Sequence, residues 1–365
     1  MTDSSEARNI APSETLALLY LAAPVGVFLV AAVIPALAWP ATALLGYTLW
    51  RSGRHTAWRL HGPGLVASIA ALGLSLGWVF ASGNLGVLQA NEDWSKHHAL
   101  LNLLASKPWW PADDAGTLRY SLGWYLLPAL AMKGVGGHGA LFSALWSVLG
   151  LLLFCRLIAP IFSSCTRYLA GIVAFAVFAG GDLFGTLMTG YRSHIPFHLE
   201  WWSAWIQYSG TTTALFWTPQ HALPAWIGIG LFMRQWAPMQ PPQTTAPSPA
   251  LVVALALFWS PFAALGLLPF AVLLLSQQWR RGWPIDGVGL IAALVIAVPL
   301  LVFLQTDTAE IPKAFIWNSR CVMSGGSCFS WSGLVFFLLV ETGGAALVLW
   351  ACRDRARQAF NLLAL

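Results

Sequence analysis

The sequence predicts an all-α fold, a polytopic transmembrane helical bundle of about eight to ten spans with short helices in its extracytoplasmic loops. Hydrophobic residues make up 58% of the 365 residues, charged residues make up only 9%, and the mean hydropathy is +0.67. A single soluble core of this length cannot bury so much apolar surface, so lipid must act as the solvent. We expect one transmembrane domain over residues 1–365, located in a bacterial inner (plasma) membrane.

A membrane-spanning helix needs about 20 mostly apolar residues. Six stretches meet this need: Gly64 to Ser82, Gly139 to Ile158, Tyr168 to Met188, Ala222 to Phe232, Gly287 to Leu304 and Gly333 to Ala351. Ala222 to Phe232 reaches the required length only together with its flanks. The first fourteen residues lack a basic start followed by a short apolar segment and a cleavage site. We therefore expect no cleavable signal peptide.

Two longer apolar stretches contain prolines. Pro24, Pro35 and Pro40 divide Thr15 to Trp50, which predicts either two short spans or one kinked span. Leu251 to Ser276 is interrupted at Trp259-Ser260-Pro261. We predict a hairpin of two partial helices there, with the broken backbone buried in protein.

The basic residues predict the orientation in the membrane, because short cytoplasmic loops carry an excess of Lys and Arg. Twelve of the 19 are assigned to the cytosol: Arg8, Arg51, Arg54, Arg59, Arg156, Arg167, Arg234, Arg280, Arg281, Arg353, Arg355 and Arg357. The other seven, including every lysine, then lie outside: Lys96, Lys107, Lys133, Arg119, Arg192, Lys313 and Arg320. This dispersed pattern excludes nucleic acid as the partner of the basic residues.

Three outer loops follow from this topology, at residues 83–137, 190–220 and 305–332. Most of the histidines fall near them, so we expect the functional face to be extracytoplasmic. Cys321 and Cys328 in the third loop either form a local disulfide or remain two free thiols.

The densest polar segment is Asn91-Glu92-Asp93-Trp94-Ser95-Lys96-His97-His98 in the first loop. If a helix starts here, Asp93 shares a face with Lys96 and His97. A carboxylate beside cations can accept a proton from a hydroxyl while the cations hold a departing anion. The alternative is a plain helix start, with Asn91 as N-cap and the acids in the first turn.

The second loop carries Arg192, His194, His198 and Glu200, and His221 follows it. These residues predict a site for an anion or for sugar hydroxyls. His194 and His198 could also bind a divalent metal, but Pro196 between them argues against a regular helix. No other cofactor is predicted.

Within the apolar spans, Asp182 and Glu341 are ionisable. Each is costly in lipid unless it is paired or hydrated, so each is a candidate functional residue. For Glu341, a purely structural role is an equal alternative, in which a buried hydroxyl or a break in the backbone pairs with the carboxylate.

The acidic pair Glu92-Asp93 near a helix end resembles the first loop of the GT-C superfamily of membrane glycosyltransferases. The Trp- and Pro-rich return from Leu118 to Pro128 and the segment from His198 to His221 add to the resemblance, which covers residues 83–232. Enzymes of that family transfer sugar from a polyprenyl-phosphate donor on the extracytoplasmic side.

The resemblance implies that Asp93, together with Glu92, matches the catalytic acid of the first loop and acts as general base. Lys96, His97, Arg119 and Arg192 would hold the lipid phosphate. The implied partners are a polyprenyl-phosphate-linked sugar and a lipid or glycan acceptor. A lipid or solute transporter, or a flippase, is the main alternative, although it predicts ionisable residues along a route through the bilayer. A non-catalytic assembly subunit is a third.

Overall fold

The computed structural model describes residues 11–54, 56, 64–88, 91–107, 112–113, 116–190, 199–203, 206–236, 246–305 and 330–351. The predicted all-α fold is confirmed, since these residues form fourteen α-helices. A pair of two-residue antiparallel strands, β1 (Ala112–Asp113) and β2 (Gly116–Thr117), lies in the first outer loop.

The helices follow one another along the chain with short connections. They are α1 (Pro12–Ala32), α2 (Pro35–Arg54), α3 (Gly64–Ala81), α4 (Glu92–Ser106), α5 (Gly123–Val135), α6 (Gly139–Ile158), α7 (Cys165–Ala176), α8 (Asp182–Thr189), α9 (Thr211–Trp217), α10 (Pro219–Trp236), α11 (Pro249–Trp259), α12 (Pro261–Arg280), α13 (Gly287–Gln305) and α14 (Trp331–Ala351). Short 3-10 turns cover Ala159–Ile161 and Leu199–Trp201.

Five of the described helices are long and apolar enough to cross a membrane. They are Pro12–Ala32, Gly64–Ala81, Gly139–Ile161, Pro261–Arg280 and Gly287–Gln305. Two more apolar helices are shorter, Cys165–Ala176 and Pro249–Trp259, and α14 is apolar over its described stretch Trp331–Leu347. The chain is therefore a membrane protein by length and composition of its helices. The count of eight to ten spans stays a prediction.

The prolines mark two of the predicted breaks. Thr15 to Trp50 forms two helices, because the chain leaves the helical conformation at Val33 and Pro35 starts α2. Ser260, in an extended conformation, separates α11 from α12. The prediction of two partial helices at this break is wrong for the second, since α12 has 20 residues and is itself long enough to span.

The predicted span from Tyr168 to Met188 is also wrong. Helix α7 ends at Ala176, and α8 starts only at Asp182. Gly180 and Gly181 lie between them, and both glycines pack too closely against α14 to carry a side chain. The apolar composition continues across this break, so hydropathy alone does not reveal it.

The chain divides into two compact units. The first contains Met1–Ile172 and Leu215–Ala309, and the second contains Val173–Ala214 and Glu310–Leu365. The first unit is centred on α1, α6, α10 and α11, whose facing side chains are buried.

Three stacked aromatic rings form the centre of the first unit. The ring of Tyr20 lies 4.0 Å from that of Trp146 and 5.0 Å from that of Trp259. The Trp259 indole also donates to the carbonyl of Leu21 at 3.0 Å. Gly123 must be glycine, because any side chain there would collide with Trp259. This contact fixes the start of α5 against the end of α11.

Two ion pairs lie where the charge pattern predicts the cytosolic ends of the helices. Arg234 in the last turn of α10 donates to Glu14 in the first turn of α1 at 2.9 Å. Arg51 near the end of α2 pairs with Asp286, just before α13. Each pair joins helix ends that the topology assigns to one face, so the contacts agree with that assignment.

Candidate functional site

Helix α4 presents the acidic residue that the sequence singles out. Asp93 accepts a hydrogen bond from the Lys96 ammonium at 3.0 Å, one helical turn away. The Lys96 side chain is 44% exposed and that of Asp93 is 32% exposed. The pair is therefore accessible, and a ligand can compete for either partner. Glu92 is exposed in the same turn.

His97 lies one residue beyond Lys96 and is completely buried. Its Nε2 lies 3.0 Å from the carbonyl oxygen of Trp217, and its Nδ1 lies 2.6 Å from the hydroxyl of Tyr125. A carbonyl oxygen can only accept, so Nε2 carries the hydrogen, and in the neutral ring Nδ1 accepts from Tyr125. Burial is the main cause that lowers the pKa of His97 to about 4, and the nearby Lys96 charge lowers it further.

This geometry corrects the role expected of His97. A neutral ring with both nitrogens occupied cannot hold a lipid phosphate as a cation. His97 instead fixes the position of α4 relative to α5 and to the end of α9.

A chain of contacts runs through His97 and Tyr125. The Gln220 amide donates to the Tyr120 hydroxyl at 3.4 Å, and the Tyr120 ring lies beside that of Tyr125, with ring centres 6.0 Å apart. The Tyr125 hydroxyl donates to His97. Burial, followed by Tyr120, raises the pKa of Tyr125, so the phenol stays neutral. The chain connects α4 and α5 to the first turn of α10.

Three further contacts clamp the start of α4. The Trp94 indole donates to the carbonyl of Ser82 at 2.6 Å, and His98 Nε2 lies 3.1 Å from the carbonyl of Asn84. The Asn91 amide donates to the carbonyl of Phe216 at 2.9 Å. Asn91 occupies the N-cap position of α4 and Glu92 and Asp93 lie in its first turn, as the plain helix start predicts, although the Asn91 side chain makes no capping hydrogen bond.

His221 in the first turn of α10 approaches this cluster. Its Nδ1 lies 2.7 Å from the hydroxyl of Ser260, which also accepts from the backbone N–H of Ala263 at 3.0 Å. Burial, followed by the Lys96 charge, lowers the pKa of His221. Lys96 therefore lies close enough to act on His221. In the described part of the chain Nε2 of His221 makes no hydrogen bond, and the ring packs edge-to-face on Phe262 at 5.6 Å.

Arg119 belongs to the same unit. Its guanidinium lies over the Phe303 ring, 4.8 Å from the ring centre, and its buried Nε has no hydrogen-bond partner. No described carboxylate pairs with it. An anionic ligand would supply the missing counter-charge.

The predicted residues of the second loop belong to the second unit or lie outside the described residues. Arg192, His194 and His198 fall outside them, as do Cys321 and Cys328. Glu200 belongs to the second unit, where its carboxylate accepts from the Gly210 N–H at 2.9 Å and from the Gln207 amide at 2.7 Å. Across the residues that the structure describes, no group of three or more His, Cys, Asp or Glu side chains could hold a metal ion.

Sequence inspection missed Ser260, Tyr120, Tyr125 and Gln220. Ser260 stands directly before a proline in an apolar stretch, and this position marked a helix break but not a partner for His221. The two tyrosines stand in the aromatic segment that sequence inspection assigned mainly to the membrane interface. The hydrogen bonds of this cluster join residues 28 to 125 positions apart, and the spacing of residues along the sequence does not reveal such distant partners.

Comparison with known proteins identifies no relative: the sequence matches no family model and no curated protein, and the structure matches no solved structure. The resemblance to the GT-C superfamily therefore stays a prediction, based on the motifs of the first and second loops.

Proposed function

We propose that the protein is a membrane glycosyltransferase that moves a sugar from a polyprenyl-phosphate donor to an acceptor hydroxyl on the extracytoplasmic face. The observation that carries the proposal is the accessible Asp93–Lys96 pair, held on a helix whose other side is locked by buried hydrogen bonds. Such a scaffold keeps a reactive carboxylate in one position, which positional catalysis requires.

The chemistry assigns one task to each accessible group. Asp93 accepts the proton of the acceptor hydroxyl as its oxygen attacks the anomeric carbon of the sugar. The bond from that carbon to the phosphate oxygen breaks, and the phosphate leaves with the electron pair. Lys96 and Arg119 stabilise this anion, and direct displacement inverts the anomeric configuration.

The location of the cluster supports an extracytoplasmic site. Thirteen residues separate His221 from Arg234 on α10, about 20 Å along a helix. Arg234 belongs to the ion pair at the end that the charge pattern assigns to the cytosol. This distance supports a position of the Asp93 cluster toward the opposite membrane face. A lipid-linked donor explains why a transferase with such a site is embedded in a membrane.

Replacing Asp93 tests the proposal directly. The assay measures sugar transfer from radiolabelled polyprenyl-phosphate donors by the purified protein. We expect Asp93→Asn to slow transfer about 10²- to 10⁴-fold, the usual contribution of a general base. The parallel variant Glu92→Gln tests the second acid of the pair and should slow transfer less than Asp93→Asn, because Glu92 lies outside the Lys96 pair. Undiminished transfer by Asp93→Asn would remove Asp93 from the mechanism.

One observation favours a transporter as the second candidate. Asp182 and Glu341, the two ionisable residues of the predicted spans, are both buried in the second unit, where the residue before Asp182 donates to Glu341. A proton-coupled transporter uses such buried acids. Proteoliposomes loaded with a pH indicator would show substrate-dependent proton uptake in that case and none for a transferase.

A further inference from the structure

The second unit buries three carboxyl groups that the proposed transfer reaction does not use. Asp182 is 5% exposed, Glu341 is 6% exposed and Glu200 is 9% exposed. The ion pairs formed by the described residues involve other acids, so no described Lys, Arg or His neutralises these three. Buried charge without a counter-ion is costly, and one of the acids must be neutral or bind a cation.

Glu341 is held in place by N–H donors to both of its carboxylate oxygens. One oxygen accepts from the backbone N–H of Gly181 at 2.8 Å, and the other accepts from the Trp202 indole at 2.7 Å. Both oxygens of Glu200 likewise accept from N–H donors. A carboxylate that receives N–H donors on both oxygens is stabilised in its ionised form.

The packing around Glu341 requires glycine at the neighbouring positions. A side chain at Gly180 would overlap the Glu341 carboxylate, and one at Gly181 would overlap the carbonyl of Val340. Gly185 lies against the Trp202 indole, whose ring stacks on Phe337 at 5.5 Å. The glycines of this segment therefore allow α14 to bring its carboxylate to the first turn of α8.

Asp182 is the remaining acid, and its environment differs. Its neighbour Gly181 donates to the Glu341 carboxylate, so the two buried acids lie side by side, and the Oδ1 of Asp182 is shielded from water and has no partner. Two adjacent buried carboxyl groups cannot both be ionised without strong repulsion, so one of them should carry a proton. We propose that Asp182 and Glu341 form a proton-binding site, in which Asp182 carries the proton and donates it to the Glu341 carboxylate.

The groups that face this site explain why the proton is retained near neutral pH. Glu341 faces it from α14, Glu200 from the 3-10 turn and Tyr208 from the segment that follows. Burial, followed by the charges of Glu341 and Glu200, raises the pKa of Asp182 to about 7. Burial also raises the pKa of Tyr208, so this phenol adds no charge. Helix α8 is too short to span the bilayer, and Asp182 lies in its first turn.

The proposed proton stabilises the contact between α8 and α14. With the proton present, the pair is a neutral donor and an anionic acceptor. When the proton leaves, two anions face each other where a hydrogen bond was, and they repel. The contact between the two helices is therefore strongest below the titration midpoint of the site.

Infrared spectroscopy of the full-length protein in nanodiscs tests the proposal, because a protonated carboxyl group has its own C=O stretching band. Above about pH 5.5 ordinary carboxyl groups have lost their protons. We expect the parent to retain a carboxylic acid band there and to lose it as the pH rises through about 7. Asp182→Asn should abolish this band.

Two other variants keep the proposal falsifiable if Asp182→Asn does not fold. Glu200→Gln removes one neighbouring negative charge, so the band should persist but titrate at lower pH. Glu341→Gln removes the acceptor charge and should shift the midpoint further in the same direction. A parent without the band above about pH 5.5, or a band unchanged in all three variants, would overturn the proposal.

Discussion

The two units place their acidic residues in opposite environments. In the first, Asp93 pairs with a lysine and both side chains reach the solvent. In the second, Asp182, Glu200 and Glu341 are buried and no described cationic side chain pairs with them. The first arrangement suits exchange with a ligand, whereas the second suits retention of a proton.

Asp93 and Glu341 are also held in position in different ways. Asp93 owes its position to the neutral, buried side chains of His97 and Tyr125, which hold α4 against α5. Glu341 is positioned directly, by N–H donors that point at its oxygens. A reactive carboxylate is thus supported indirectly and left accessible, while a structural one is fully enclosed by its own hydrogen bonds.

Removing the support of Asp93 should have the largest effect. His97→Phe leaves the Tyr125 hydroxyl and the Trp217 carbonyl buried without partners, which we expect to lower the free energy of unfolding by about 2–4 kcal/mol. Denaturant unfolding of the purified protein measures it. His98→Phe is the matched control, since it removes one bond from a half-buried ring and should cost about 1 kcal/mol. Equal losses in the two variants would contradict a supporting role for His97.

The two buried networks should respond to pH with opposite signs. Between pH 4 and about 6.5, unfolded His97 binds a proton that the folded protein excludes, so its contribution to stability rises with pH. Folded Asp182 holds a proton that the unfolded chain releases above about pH 4, so its contribution falls as the pH rises toward 7.

Variants separate these two contributions. Asp182→Asn should leave a stability that increases over this pH range, with His221 adding the same sign as His97. His97→Phe should shift the slope in the opposite direction. Thermal unfolding at a series of pH values measures both slopes, and identical slopes in the two variants would remove the proposed difference between the units.

A smaller effect is expected at the helix break. Ser260→Ala loses the cap of α12 and the contact to His221, so stability should fall by about 1 kcal/mol and sugar transfer should also slow. His221→Ala loses only the contact. If both variants slow sugar transfer equally and only Ser260→Ala is less stable, the effect on transfer comes from His221 and the effect on stability comes from the helix cap. Normal transfer in both would exclude this pair from the site.

The positions of several helices could be predicted from the apolar composition of the sequence, whereas the side-chain contacts between the helices could not. Apolar length located α3 and α6 to within a residue, because a membrane helix has a nearly fixed length. The pairing of His97 with Tyr125 and of Asp182 with Glu341 joins distant segments, and side chains of ordinary type make these contacts. The break before α8 escaped prediction because the glycines there read as part of an apolar run, although they serve a close approach of α14.

Labelling of Lys96 tests the central claim most directly, namely that the Asp93–Lys96 pair faces the outside of the membrane. Intact cells that produce the protein are treated with a membrane-impermeant amine reagent, and peptide mass spectrometry locates the label. Lys96 is half-exposed, so we expect it to be labelled in intact cells and the label at this position to vanish in Lys96→Arg. Labelling of Lys96 only after the cells are permeabilised would place the pair in the cytosol and contradict the account.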